Sequence, residues 1–299
     1  MTVKELETIA EVLITEAKRS SNRRPFNSLA AKVSMFLKLA ELELVESINP
    51  EVAVEEQYYV VRNKQKDTFH LYLWQIHYWI QENMKWIDKP STLTRFPYPT
   101  IRRRFTTFKG PSALMQNFSW RQYRIACDYM SYYINQENHL LVMQQSGKYS
   151  SSEIKKQRKH VNSAKALFLA TIFCRRIKSV NEETKRKEKD FTYVSNQSSD
   201  NSLYFRNFPD EQFQVVLFWW TGMMNYLKGK YPKCFKSESP KKQAQTNPLD
   251  LYTRTTATLE KYLNQNEDEQ NRKLYTVVLQ HLNDMVVQNE QIEAMNRKK

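Results

Sequence analysis

The stretch Val215–Phe235, VVLFWWTGMMNYLKGKYPKCF, decides what kind of chain this is. On a helix, Val215, Phe218 and Trp219 share a face with Gly222 and Tyr226, and Val216, Trp220 and Met223 lie on an adjoining face. The apolar surface therefore wraps most of the cylinder, and such a helix must be enclosed. It is either the central helix of a domain, or part of its surface is covered by another copy or a partner, where Trp, Tyr and Met are favoured. Trp219, Trp220 and Tyr226 are accordingly its expected core or interface anchors. The greasy part, Val215–Met224, is about half of the roughly twenty residues that a membrane-crossing helix needs. No membrane span is expected.

The composition around this block agrees with a packed helical chain. In 299 residues, 40% are hydrophobic and 13% aromatic, too many for a disordered chain. Only 4 glycines and 10 prolines occur, too few turn formers for a sandwich or barrel of many short strands. The fold class read from this is mainly α, built of multi-helix bundle domains. The start, MTVKELETIAEVLITEAKRS, alternates charge with apolar residues and lacks the uninterrupted apolar core of a signal peptide. Cys127, Cys174 and Cys234 are odd in number, far apart and without CxxC spacing, so neither a zinc site nor a disulfide framework is indicated. A reducing cytoplasm fits them.

Periodicity predicts a first amphipathic helix to about Ser20, with Thr2 and Glu5 as its capping box. A second helix is expected from about Asn27 to Ile48, completing a hairpin. The piece after it can be read in two ways. Tyr58–Val61 and Phe69–Leu73 around a polar RNKQKD centre suit a short β-hairpin near 57–73. Phe69, Leu73, Ile76, Ile80, Met84 and Ile87 keep helical spacing, and a helix from about Thr68 to Ile87 is the favoured reading. The stretch KPSTLTRFPYPTIRRRFTTFKGP reads as an extended connector and domain boundary. Further helices are expected at about Ser119–Gln144, Ser152–Val180 and Asp210–Lys228, with a loop before the last. The chain should close on a C-terminal helical hairpin broken around Asn264–Glu269. The resulting domains are 1–95, helical; 96–236, basic and aromatic-rich; and 237–299, a linker with the hairpin.

The formal charge is +14, from 46 Lys and Arg against 32 Asp and Glu, so the surface attracts polyanions. Between Ile101 and Phe235 there are 23 Lys and Arg against 10 Asp and Glu, which places +13 of the excess on the middle domain. The clusters are Arg102, Arg103 and Arg104; Lys155, Lys156, Arg158, Lys159 and His160; Arg175, Arg176 and Lys178; and Lys185, Arg186, Lys187 and Lys189. They form either phosphate-neutralising patches or solvated helix faces, the last run with Glu182, Glu183 and Glu188 as partners at helical spacing. No recognition helix, paired stacking aromatics or zinc module accompanies them.

Candidate chemistry is sparse. His70 and His77 are seven apart but lack HExxH and a third ligand. Cys174 beside Arg175 and Arg176 is open to a lowered pKa, although FLATIFC also suits burial. GxSxG, Walker and GxGxxG patterns are absent. No catalytic residue, metal or cofactor is expected, and the chain is not read as an enzyme.

Three pieces of the middle domain resemble proteins encoded near the portal and tail genes of crAss-like tailed phages of gut bacteria. They are FSWRQYRIACDYM (Phe118–Met130), ALFLATIFCRR (Ala166–Arg176) and FPDEQFQVVLFWWTGMMNYLKGKYPKCF (Phe208–Phe235). The second lacks a proline expected after its arginines, and a long polar insertion separates it from the third. The resemblance implies a structural or assembly protein of a tailed-phage particle, such as a ring or connector of the tail barrel. Its expected partners are other virion or assembly proteins and further copies of itself, in a virion assembled in the host cytoplasm. On that reading Arg102–Arg104, Lys155, Lys156, Arg158, Lys159, Arg175 and Arg176 meet an acidic neighbour or, nonspecifically, DNA. The alternative is a cytoplasmic, basic nucleic-acid-binding accessory or regulatory protein.

Overall fold

A computed structural model describes residues 2–19, 28–46, 56–84, 87, 89–175, 177–180, 187–190, 193, 198–235, 259, 261 and 265–297. The chain divides into two compact units. The first comprises Met1–Leu93 and Phe208–Gly222; the second comprises Thr94–Asn207 and Met223–Lys299.

In the first unit, α1 (Val3–Arg19) starts on the expected capping box. The Glu5 backbone N–H donates to Thr2 Oγ1 at 3.2 Å, and the Thr2 N–H donates back to Glu5 Oε2 at 2.5 Å. Helix α2 (Ser28–Leu39) is shorter than expected. Glu41 adopts φ 57°, the Leu42 N–H donates to the Leu37 carbonyl at 2.8 Å, and the Glu41 N–H donates to the Lys38 carbonyl at 3.2 Å. This paired pattern ends a helix at a left-handed residue. Glutamate is a weak signal for that conformation, so periodicity ran past it. Beyond Glu41 the chain enters strand β1 (Glu43–Glu46), where helix was expected.

The ambiguous piece resolves as the hairpin. Strands β2 (Tyr58–Arg62) and β3 (Thr68–Tyr72) pair antiparallel from Tyr58↔Tyr72 to Arg62↔Thr68, and β1 adds on the other side of β2. Helix α3 (Leu73–Asn83) begins only where the strand ends, which corrects the helix expected from Thr68. The loop supplies the reason. The Asp67 N–H donates to Asn63 Oδ1 at 2.9 Å, the Lys66 N–H donates to the Asn63 carbonyl at 3.0 Å, and Lys66 takes φ 71°. An asparagine that closes a turn through its own side chain lets the β-branched Val60 and Val61 find partners. The helical spacing survives from Ile76 onward: Ile76, Ile80 and Met84 are buried with Ile9, Val12, Val33, Met35 and Val61 in one core.

Helix α7 (Asp210–Lys230) contains most of the Val215–Phe235 block. Phe213, Val215, Val216, Trp219, Trp220, Met223 and Leu227 are all buried, as an apolar belt around the cylinder requires. Gly222 is there because of close approach. A Cβ on it would overlap the carbonyl oxygen of Leu93 and lie 2.6 Å from the Leu93 nitrogen. Asp210 and Glu211 in the first turn and Lys228 and Lys230 in the last suit the helix dipole.

In the second unit, strands β4 (Thr100–Arg103) and β5 (Thr106–Lys109) form a hairpin where a connector was expected. Helices α4 (Trp120–Ser146) and α5 (Ser151–Ile172) pack as a pair, capped by Ser119 and Ser150 and joined through Gly147. Helix α5 stops before the expected Val180, because Cys174–Arg175 (β6) leaves it to pair with β5. Ile177–Val180 (β7) and Lys187–Asp190 (β8) then pair with each other, so Lys187 and Lys189 stand on a strand and not on a helix. Short helix α6 (Ser198–Ser202) lies within the expected loop.

Helices α8 (Glu267–Arg272) and α9 (Tyr275–Asn296) end the chain, and most of the first helix of the expected C-terminal pair lies outside the described residues. The same is true of the segment 236–248. The start of α9 is tied to the start of α4. The Trp120 N–H donates to the Lys273 carbonyl at 2.7 Å, the Tyr275 N–H donates to the Phe118 carbonyl at 3.1 Å, and the Tyr275 hydroxyl donates to the Leu114 carbonyl at 2.7 Å. Tyr123 stacks between Trp120 and Tyr275.

Burial pushes the phenols of Tyr123 and Tyr275 above their usual range. Below about pH 10 both are protonated whether the chain is folded or not; above it only the unfolded chain ionises them freely. Their contribution to stability should therefore hold below about pH 10 and be lost as pH rises beyond it. Urea midpoints across an alkaline pH series should show this decline, and Tyr275→Phe should make it shallower.

Candidate interaction surfaces

Large side chains face outward at several places, and two of these groups are aromatic and lie on or next to a sheet. The first is in the unit built on β1–β2–β3. Cross-strand partners share a face, so Tyr59, Val61 and Leu71 turn to the core while Tyr58, His70 and Tyr72 line the opposite side. Tyr58 stacks on His70 at 4.1 Å between centroids and meets Tyr72 edge-on at 5.9 Å. Helix α3 then presents Trp74 and Tyr78, four residues apart and 59% and 66% exposed. His70 thus belongs to a strand, and the helical pairing with His77 considered from the sequence does not exist.

The second group is the β4–β5 hairpin. Ile101↔Phe108 is an inward pair; Arg102↔Thr107 and Thr100↔Lys109 occupy the other face. Arg103 pairs with Thr106, leaving Arg104 and Phe105 as a two-residue loop. Arg104 takes φ 54°, the sign a tight hairpin turn needs at that place, and Phe105 is 96% exposed. Burial lowers the pKa of Arg103. No ion pair of Arg102 or Arg104 is found among the described residues.

The hairpin stands on a cluster of rings. Phe108 packs edge-on against Phe205 and Tyr204 at 5.1 and 5.3 Å, Phe173 stacks on Phe205 at 5.4 Å, and Phe96 meets Phe173 at 5.3 Å. Phe108, Phe173 and Phe205 are completely buried. Arg175 on β6 lies beside Phe108 and reaches over the Tyr204 ring, 5.9 Å from its centroid.

The sequence-derived clusters therefore separate. Arg102 and Arg175 stand on strands of one three-stranded sheet, with Arg104 in the turn between two of its strands; Lys155, Lys156, Arg158 and Lys159 are exposed near the N-terminal end of α5, roughly 20 Å of helix away from Arg175. Gln157 lies between them but points inward, its amide donating to the Gln136 carbonyl at 3.0 Å. Arg176, Lys185 and Arg186 lie outside the described residues, and nothing is described of the side chains of Lys178, Lys187 and Lys189.

Trp219 and Trp220 are buried side by side, 5.9 Å between centroids, and Tyr226 is half-buried with Lys230 Nζ 5.8 Å from its ring centre. Cys174 is buried, with the Gln122 amide 3.5 Å from its sulfur. Burial pushes the Cys127 thiol up to about 12, and burial together with Asp284 raises that of Cys234.

Phe105, Trp74 and Tyr78 were not singled out from sequence. A signal for the first does exist: from Lys89 to Cys127 the chain contains no aspartate or glutamate, and Phe105 follows the three arginines directly. No protein-family model matches this chain, and no curated protein or solved structure matches it.

Gly110 closes the hairpin onto its base, its N–H donating to the Pro99 carbonyl at 2.9 Å. A Cβ there would overlap the Phe96 ring and come 2.6 Å from the Tyr98 carbonyl oxygen. Gly110→Ala should therefore destabilise the fold by about 1–3 kcal/mol, read as a lower midpoint in chemical denaturation.

Proposed function

We propose that this chain is a structural assembly protein that works through protein–protein contacts in repeated copies. The observation that carries the reading is the outward aromatic surface of the first unit. Trp74 and Tyr78 stand in water beside a strand face carrying Tyr58, His70 and Tyr72, although the same unit buries Ile76 and Ile80 from the same helix. Enclosing a large apolar side chain stabilises by about 1.5–3 kcal/mol, and leaving a neighbouring pair exposed forgoes that within the chain. Aromatic side chains are the type enriched where subunits meet, and contiguous exposed apolar patches mark such contacts.

The resemblance of the three middle segments to proteins encoded beside portal and tail genes of crAss-like phages supports a place in a tailed-phage particle, as a ring or connector of the tail barrel. Assembly into a virion in the host cytoplasm follows from that reading, and no catalytic role is part of it. Among the described residues, no helix is long and apolar enough to cross a membrane, so contact through a membrane-spanning helix has no place in it.

Sedimentation of the purified chain over a concentration series tests this. The expected result is a native mass of several chains. Trp74→Ser with Tyr78→Ser should shift that mass toward a single chain while the far-ultraviolet spectrum is unchanged. A wild-type chain that sediments as a monomer at every concentration would overturn the reading.

A further inference from the structure

We propose that the β4–β5 hairpin is a nucleic-acid wedge, in which Phe105 enters between neighbouring bases while Arg102 and Arg104 hold the flanking phosphates. This does not depend on the assembly reading and concerns a different unit of the chain. Its first support is placement. Phe105 is 96% exposed at the end of a two-residue loop, where its ring has left the aromatic cluster that takes Phe108 only three residues later. Folding gains little from a phenyl group in that position, and the two-residue turn holds it beside Arg104, where it is accessible to a partner.

The second support is charge. Arg102 and Thr107 share the outer face of the hairpin, with Thr100 and Lys109 one pair further down. Cations and hydroxyls are the side chains that contact phosphate and sugar. The acid-free run from Lys89 to Cys127 leaves this face without a carboxylate from its own segment of chain.

The third support is rigidity. A wedge must not fold back when it meets a stack, and this one is held by four ladder pairs and by the fully buried Phe108 at its base.

A lone ring set among arginines and threonines selects the partner. An acidic protein surface satisfies the arginines but offers a phenyl ring no regular slot, and an anionic bilayer rewards several apolar side chains where this tip has one. Nucleic acid supplies both parts together: a π-face on every base, and a phosphate charge every 1.7 Å or so of duplex axis. Insertion of an apolar side chain at a base step beside arginine-held phosphates is an established mode of binding.

The test uses the full chain and fluorescein-labelled DNA of random sequence, single-stranded and duplex, with 2-aminopurine at the centre. Anisotropy gives affinity over a salt series, and 2-aminopurine emission reports unstacking. Wild type should bind one or both DNAs, weaken steeply with salt and change the emission. Phe105→Ala should bind about 5- to 150-fold more weakly, lose the emission change and keep the salt slope. Arg102→Gln with Arg104→Gln should lower the salt slope by about 2 and retain part of the emission change.

Phe105 makes so little contact with the fold that its replacement should leave the denaturation midpoint unchanged, which separates lost binding from lost structure. Absence of DNA binding at low salt would overturn the proposal. Binding that is indifferent to Phe105 would do so too, since it would assign DNA contact to the general basic surface. So would Phe105-dependent sedimentation with vesicles of phosphatidylserine in place of DNA.

Discussion

Ring-on-ring packing among Phe96, Phe108, Phe173, Tyr204 and Phe205 is the constraint on which the second unit's surface depends. These residues come from the proline-rich segment, the β4–β5 hairpin, the end of α5 and the turn after α6, so one cluster fixes four stretches of backbone. Aromatic pairs prefer edge-on and offset arrangements, and each such contact adds about 0.5–1.5 kcal/mol beyond simple burial. Without that anchor a hairpin of two four-residue strands would be marginal in water. With it, the hairpin tip becomes a fixed place for charged and aromatic side chains that fold no further inward.

The helices of that unit are registered by a different kind of contact. The Gln122 amide, buried at the first turn of α4, donates to the Thr171 carbonyl at 2.9 Å, satisfying one of the carbonyls that the end of α5 leaves open. The Tyr275 hydroxyl does the same for the Leu114 carbonyl, from a residue far along the sequence. A buried polar group left without a partner costs more than its bond contributes, so these side chains specify which helix ends meet. Apolar burial drives the packing, and a few directional bonds choose its arrangement.

The two units leave aromatic surface exposed in different company. Trp74 and Tyr78 stand on the helix that continues directly from β3, the strand that carries His70 and Tyr72, in a sheet where Glu43 pairs with Arg62. Around Phe105 the neighbours are arginines and threonines. The first composition suits the dry centre of a protein contact; the second suits a partner that is both charged and flat.

Sequence alone determined where several of the helices begin and the apolar belt of the most enclosed one. The Thr2–Glu5 box, the Ser119 cap before Trp120 and the apolar belt of Val215–Leu227 are local or periodic features, and a helix closes its hydrogen bonds within itself. It also determined that positive charge is concentrated at Arg102–Arg104. The ends of helices were harder to read. Glu41 in the left-handed region, and Phe173 turning into β6, depend on strand partners far along the chain that no periodicity records. Only the tertiary structure decided that the proline-rich connector is a hairpin, that Arg175 joins Arg102 on one sheet while Lys155–Lys159 do not, and that Phe105 and Trp74 stay outside. A strand exists only when another strand accepts its hydrogen bonds, and exposure is what remains after every other side chain has found its place.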